Sequence, residues 1–332
     1  MNRSVPEVRA SDRPAGLIDT LQAGFNAVNR NVWLLVFPIA IDLFLWWGPQ
    51  PAAGPILERW LAQAPPSQLS AALGQGFEEN RRASLEQLRR GEGAARYNLL
   101  SFLAPPLAPP LMGVPVFQPR GEGPVLPLDS PGSAAAVILA ALVLGLTLST
   151  LFYGLLAQGV RDGRAALGRF LPDFAQLTLW LVALFLLFVG AVIFAVGPLA
   201  ALYIATQSMG PQSVASGLAS VLAAVFVGVG LWAFVYLFFT PHALYVNRVP
   251  PLIALQNSIR VVRHNFWSAV GLMLLMLLIS IGLSVLWQQL AVSVRTAGVA
   301  MGMVGHIYIS AGLAAAGMTY YKERFDRLDA TS

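Results

Sequence analysis

Apolar runs dominate this chain. Residues 32–47, 133–157, 174–203, 214–240, 266–290 and 297–320 are six stretches almost free of charge, and most reach the roughly 20 residues a helix needs to cross a bilayer. A backbone in hydrocarbon has no water to bond, so spans of this kind must be helices. Charged residues make up 11 % of the chain and hydrophobic ones 56 %, against about 25 % charged in a soluble domain. The fold expected is an all-α membrane protein with six transmembrane helices. Residues 1–31 would be a cytoplasmic N-terminus and 32–47 the first span. Residues 48–132 would be an extracytoplasmic insertion, 133–320 would hold the other five spans, and 321–332 a cytoplasmic tail.

Loop charges set the orientation. Arg161, Arg164 and Arg169 lie between the second and third spans, Arg248, Arg260 and Arg263 between the fourth and fifth, and Lys322, Arg324 and Arg327 in the tail. The alternate loops are nearly bare: 207–213 has no charge and 291–296 only Arg295. The excess of Arg and Lys in cytoplasmic loops places both termini inside. No signal peptide is read in residues 1–31, which lack a continuous apolar core and a small-residue cleavage site. The net charge of +5 reflects this orientation; no basic run interleaved with aromatics suggests nucleic acid.

A motif is used twice. Leu21-Gln22…Val28…Asn31…Trp33 recurs as Leu255-Gln256…Val262…Asn265…Trp267, at a constant offset of 234 residues (255 − 21). Each copy runs straight into an apolar span. Leu17, Leu21, Phe25 and Val28 repeat at helical spacing, as do Leu255, Ile259 and Val262, with Pro250-Pro251 as a start signal. These segments are expected to be amphipathic elbow helices lying flat at the cytoplasmic interface. Asn31, Trp33, Arg260, Arg263, Asn265 and Trp267 would be their anchors, with the arginines snorkelling to headgroups. A weaker third copy at residues 163–173 would complete a pseudo-threefold arrangement of helix pairs. Trp46, Trp47 and Trp287 are expected at the outer interface, and Trp180 and Trp232 in packing positions.

The outer insertion divides in two. Residues 67–90 show helical spacing of Leu69, Leu73, Phe77, Leu85 and Leu88. Residues 98–112 are apolar but broken by four prolines, so they cannot span as a helix. They should rest on the outer helix ends or dip into the headgroups, as a cap or as a partner-binding patch.

Ionisable groups inside a bilayer are costly and therefore candidates for function. Asp42 follows Pro38 by four residues in the first span. It could bind a cation, a proton or a polar substrate group; equally, it could hydrogen-bond a neighbouring helix near the outer interface. His306 lies in the last span on a stripe with Gly298, Gly302, Ser310 and Ala314 at four-residue intervals, a pattern that lets helices approach closely. It could titrate on a transport path or serve as a buried hydrogen-bonding group. Ser310 one turn away belongs to the same stripe. His264 beside Arg260 and Arg263 suggests a headgroup-facing patch.

Catalytic constellations are not found. There is no Cys and only three His, and no His-Glu-x-x-His, P-loop or Gly-x-Ser-x-Gly, so no metal or cofactor is expected. Gly197-Pro198 interrupts the third span, but Pro38 does not align with it, and the fifth span has no Pro. This weakens a transporter built on broken helices.

The run Pro241-His242-Ala243-Leu244-Tyr245…Ala254-Leu255-Gln256-Asn257-Ser258…Asn265-Phe266-Trp267 resembles an element of a large bacterial family. These are six-helix integral membrane proteins related to the membrane domain fused to some glycerophosphodiester phosphodiesterases. In them a helix ends at Pro, and an Ala-Leu-x-x-Ser elbow leads to Asn-x-Trp; the matching positions are Ala254, Leu255, Ser258, Asn265 and Trp267. The likeness is specific over about 30 residues. It implies the bacterial inner membrane and a six-helix architecture. It brings no hydrolytic activity, because the phosphodiesterase domain has no counterpart here. Two functional expectations result: a non-enzymatic module organising lipid, a membrane protein partner or a second copy of itself, and a small-solute or lipid transporter using Asp42 and His306.

Overall fold

The computed structural model describes residues 15–63, 76–90, 97–103, 123–209 and 212–331. The chain is helical almost throughout. It opens with α1 (Leu17–Asn29), a 3-10 turn (Val32–Leu35) and α2 (Val36–Trp47). The insertion contributes β1 (Gln50–Ala52), α3 (Gly54–Gln63), α4 (Gly76–Arg89), a 3-10 helix (Leu99–Leu103) and β2 (Val125–Pro127). Then come α5 (Pro131–Asp162), α6 (Leu167–Met209), α7 (Gln212–Leu237), α8 (Thr240–Asn247), α9 (Pro251–His264) and α10 (Phe266–Ala330).

Five of these stretches are long and apolar enough to cross a membrane: Pro131–Asp162, Leu167–Gly197, Ala224–Asn247, Phe266–Val294 and Thr296–Ala330. Leu17–Asn29 and Val32–Trp47 together form a bent sixth candidate, with 82° between its halves. The molecule is a multi-pass all-α membrane protein.

α10 is helical over its whole length yet folds back on itself between its two spans. On its second limb, Gly298 abuts the Leu290 carbonyl and Gly305 abuts the Trp287 ring. Trp287, near the end of the first limb, is therefore packed against the second. The missing side chain of Gly305 leaves a slot that the indole fills, burying its Nε1.

The repeat is repeated in three dimensions. The buried residues of α1 are Thr20, Gly24, Ala27 and Val28; those of α9 are Ala254, Ser258, Val261 and Val262, each 234 residues further on. Each helix stops at the Asn. Asn31 has φ −133°, ψ 38°, and Asn265 has φ −129°, ψ 32°. Each Nδ2 donates to the carbonyl four residues back, Ala27 at 2.9 Å and Val261 at 3.1 Å. At Asn31 the side chain takes up a carbonyl that the helix would otherwise leave open at its C-terminus, at Asn265 it shares the Val261 carbonyl with its own backbone N–H, and in both the chain turns there.

The first elbow packs lengthwise on another helix. α1 runs antiparallel along the second limb of α10: Ala15 N–H donates to Glu323, Gly24 touches Ala316, Phe25 covers Gly312, and Tyr308 OH donates to Asn29. Its apolar face is covered by protein. An amphipathic stripe shows that a helix face is buried, not whether lipid or another helix buries it.

The third elbow is not formed. After Gly163 (φ +81°) a short link leads into α6, which begins at Leu167 and continues as one helix to Met209. No Asn stands in the link to end a first helix, so there is no elbow to bend. The link is bonded instead from outside: Asn31 Oδ1 accepts from Ala165 N–H at 2.8 Å and Gln158 Oε1 from Ala166 N–H at 2.9 Å. Even so, the three entries pack cyclically. α1 lies on the second limb of α10, Phe170 of α6 seats against Gly154 of α5, and Ser258 of α9 binds the α7–α8 junction. Each entry leans on the last helix of the preceding pair.

The insertion is clasped at its base. β1 and β2 pair in parallel, Gln50 against Val125, so its two ends leave the bundle side by side. Residues 99–103 reach further down than a cap would. Leu99 and Leu103 are buried, and the carbonyls of Phe102 and Leu103 lie against Gly145, fourteen residues and about 21 Å along α5 from its start. A side chain at Gly145 would displace them, its Cβ standing 2.8 Å from the Leu103 oxygen. Gly145→Leu is expected to expel this segment and expose residues 97–103 to protease, while the bundle keeps its helical circular dichroism. Residues 104–112 of the proline-broken stretch and 67–75 of the expected outer helix lie outside the described residues.

Packing is concentrated at one end. α5 is exposed at Leu139 and Val143 but fully buried from Leu155 to Ala157. α6 goes the other way, from buried Phe170, Leu177 and Leu181 to exposed Leu186, Ile193 and Phe194. The second limb of α10 passes from exposed Met301 and Val304 to fully buried Ala315, Ala316, Tyr320 and Tyr321. The end that holds the elbows is a closed core; the other end presents apolar side chains outward.

Candidate functional site

The elbow ends carry the residues that face out of the bundle. Trp33 is exposed and edge-on to Phe37; Trp267 is 83 % exposed. Both stand just past their Asn hinge, where an indole reaches an interface. Arg260 donates to the Leu328 carbonyl at 3.2 Å, which ties α9 to the end of α10. Arg263 is exposed and makes no bond or ion pair with a described residue. Trp232, expected in a packing position, stacks on Tyr236 and Phe266 at 5.8 Å each while the rest of it stays exposed. There it braces the start of the first limb.

Each of the remaining motif residues has a physical task. Ala254 is fully buried where α9 crosses its neighbours. Pro241 lies in the first turn of α8 and cannot donate to a carbonyl of α7, so the helix breaks there. Ser258 repairs the break: its hydroxyl donates to the Tyr236 carbonyl at 2.7 Å and accepts from Phe239 N–H at 3.1 Å. Ser258→Ala is expected to cost about 1–3 kcal/mol through those unsatisfied buried groups, and Ser258→Thr to restore most of it. Thermal unfolding in detergent reads the difference. Arg248 is the one described non-glycine with positive φ (53°). It joins α8 to α9 and forms an ion pair with Asp173 of α6.

The intramembrane candidates are placed but not joined. Asp42 is half-buried on α2, which packs against α10 and the Leu99–Leu103 helix. His306 is half-buried and Ser310 buried on the second limb, as is the rest of the small-residue stripe: Gly298, Gly302 and Ala314. The stripe does face other helices. No hydrogen bond or ion pair links Asp42, His306 and Ser310 to one another or to any other described residue. The described residues contain no group of three His, Cys, Asp or Glu that could hold a metal ion.

A second set of polar side chains, not singled out in the sequence, sits in the closed end. α8 is buried along almost its whole length, and His242 and Tyr245 share one side of it. Tyr245 packs on Tyr153 at 6.1 Å, and its hydroxyl lies near Thr150. His242 stacks on Phe238 and contacts Gly317. Phe239 stacks on Tyr320, over which Arg324 lies at 5.0 Å. Thr240 Oγ1, His242 Nδ1, Tyr245 OH, Tyr320 OH and Arg324 Nε have no well-formed hydrogen bond. Buried polar atoms gathered like this are where native cores hold internal water. The available signal was His242 and Tyr245, three residues apart just past the fourth span; they stood in the run that resembles the six-helix family, with no role of their own.

Comparison with family models, with curated proteins and with solved structures gives no match.

Proposed function

We propose that this protein is a non-enzymatic membrane module that organises lipid, or a membrane protein partner, through its elbows and outer insertion. We place it in a bacterial inner membrane with both termini cytoplasmic, and as kin to the six-helix family its elbow resembles. One observation carries the reading. Two elbows reproduce the same burial, hinge torsions and hydrogen bond at a fixed offset, and each turns the same kinds of residue outward, Ile18 with Trp33 and Leu252 with Trp267. A device copied so closely yet so poor in reactive groups suits holding rather than chemistry. Extraction in native lipid discs should recover stoichiometric lipid or a stoichiometric partner protein. Recovery of neither would end this reading.

Transport through Asp42 and His306 is the second reading, favoured by a carboxylate in an apolar helix with no partner among the described residues. Against it stands the closed end: Leu155, Ala157, Phe239, Leu244, Val261, Ala315 and Tyr320 are all fully buried, and a path would have to part them. Proteoliposome flux that is unchanged by Asp42→Asn and His306→Ala would remove it.

The orientation is testable because the chain has no Cys. A single Cys at Thr331 should be shielded from a membrane-impermeant maleimide in intact spheroplasts. One at Ser213 should react. The opposite pattern would invert the topology.

A further inference from the structure

We propose that the second elbow, and not the first, is a binding site for an anionic phospholipid headgroup of the inner leaflet; this rests on the lipid-organising reading above. The exposed residues of α9 include Leu252, Gln256, Ile259 and Arg263, spaced four, three and four apart along one face, and Trp267 follows four residues later. Leu252 and Ile259 supply apolar anchors, Trp267 an interfacial indole, and Arg263 a free guanidinium at the hinge. His264 lies beside it, but its Nδ1 is 2.8 Å from the Arg260 carbonyl, which can only accept, so Nδ1 donates there and Nε2 of the neutral ring is left as an acceptor; recognition of an anion falls to Arg263.

Charge decides the occupant. There is no acidic residue in Pro251–His264, nor in α10 before Glu323, so nothing on these helices neutralises Arg263 locally. A phosphate diester does so with charge-assisted hydrogen bonds, and the apolar residues on the same face suit its acyl chains. The first elbow has one basic residue here, Arg30 in the place of His264, but its Nε already donates to the Asn26 carbonyl at 3.2 Å, and α1 also carries an acid, Asp19. Asn29 stands where α9 has Arg263, and its Oδ1 already accepts from Tyr308 OH at 2.9 Å. Asn26 stands where α9 has Arg260. The two elbows share a scaffold and differ in charge, which is where a specificity would be written.

Native mass spectrometry from nanodiscs of phosphatidylglycerol mixed with phosphatidylcholine tests this. The wild-type chain should retain phosphatidylglycerol preferentially. Arg263→Gln should lower that preference about fivefold, the effect of removing one basic residue worth about 1 kcal/mol at an anionic surface. Arg263→Lys should keep it. The position is exposed, so folding is not at risk. Equal retention of both lipids by the wild type, or a preference untouched in Arg263→Gln, would overturn this inference while leaving the lipid-organising reading standing. A chain that holds neither lipid nor partner defeats the reading itself.

Discussion

Replacing Gly24 with valine should destabilise the bundle by about 3 kcal/mol, at the upper end of what overpacking costs. A Cβ at this position would stand 2.5 Å from Ala316 Cα and 2.7 Å from its Cβ. The obstacle is the backbone of the second limb of α10, which cannot rotate away as a side chain would. α1 would have to lift, and with it the contacts of Phe25 with Gly312 and of Asn29 with Tyr308. Gly190 on α6 is the internal control, because a Cβ there meets nothing within 4 Å. Gly190→Ala should leave the unfolding midpoint in detergent unchanged, whereas Gly24→Val should lower it sharply. Equal effects would mean that α1 is not seated on α10 in the membrane.

This contact also marks the limit of what could be read from the sequence. The spacing of Leu17, Leu21, Phe25 and Val28 predicted the helix, and Asn31 with Trp33 predicted where it ends. Gly24 carries no such signal, since a glycine reads the same whether it weakens a helix or admits another one. The same silence hid Gly145, which seats residues 99–103, and Gly305, which draws Trp287 inward. At residues 163–173 the reverse occurred: a place just before the third span suggested a weaker third copy of the elbow. The one residue type that makes an elbow here, an Asn returning its amide to the carbonyl four back, is missing.

The candidate site was legible only in outline. Arg260, Arg263, Asn265 and Trp267 are visible because polar and aromatic residues beside an apolar span are conspicuous. The His242–Tyr245 pair was not, because nothing in the sequence shows that the short stretch after Pro241 is a helix buried in the core. Asp42 and His306 were conspicuous for their cost in hydrocarbon, yet the structure brings neither to a partner. Conspicuous residues and connected residues turn out to be different sets in this molecule.

Asn31→Ala should cost about 2–4 kcal/mol, and Asn265→Ala about 1 kcal/mol, although the two residues share one conformation and one motif. Asn265 makes a single side-chain bond, to the Val261 carbonyl, from a half-buried position, and a typical hydrogen bond is worth about 0.5–1.5 kcal/mol net. Asn31 is 2 % exposed and makes two: it donates to Ala27 and accepts from Ala165 across the chain. Removing it strands a buried carbonyl and a part-buried N–H, each costing about 1–3 kcal/mol, and frees the link that stands where a third elbow would be. Asn31→Asp separates the two roles. It keeps an acceptor for Ala165 but loses the donor to Ala27 and buries a charge, so it should be at least as damaging as alanine. SDS-titration unfolding of the three variants gives the order directly. If Asn31→Ala and Asn265→Ala proved equal, the bond to Ala165 would contribute nothing, and the first elbow would be a hinge like the second rather than the bracket that joins two of the three helix pairs.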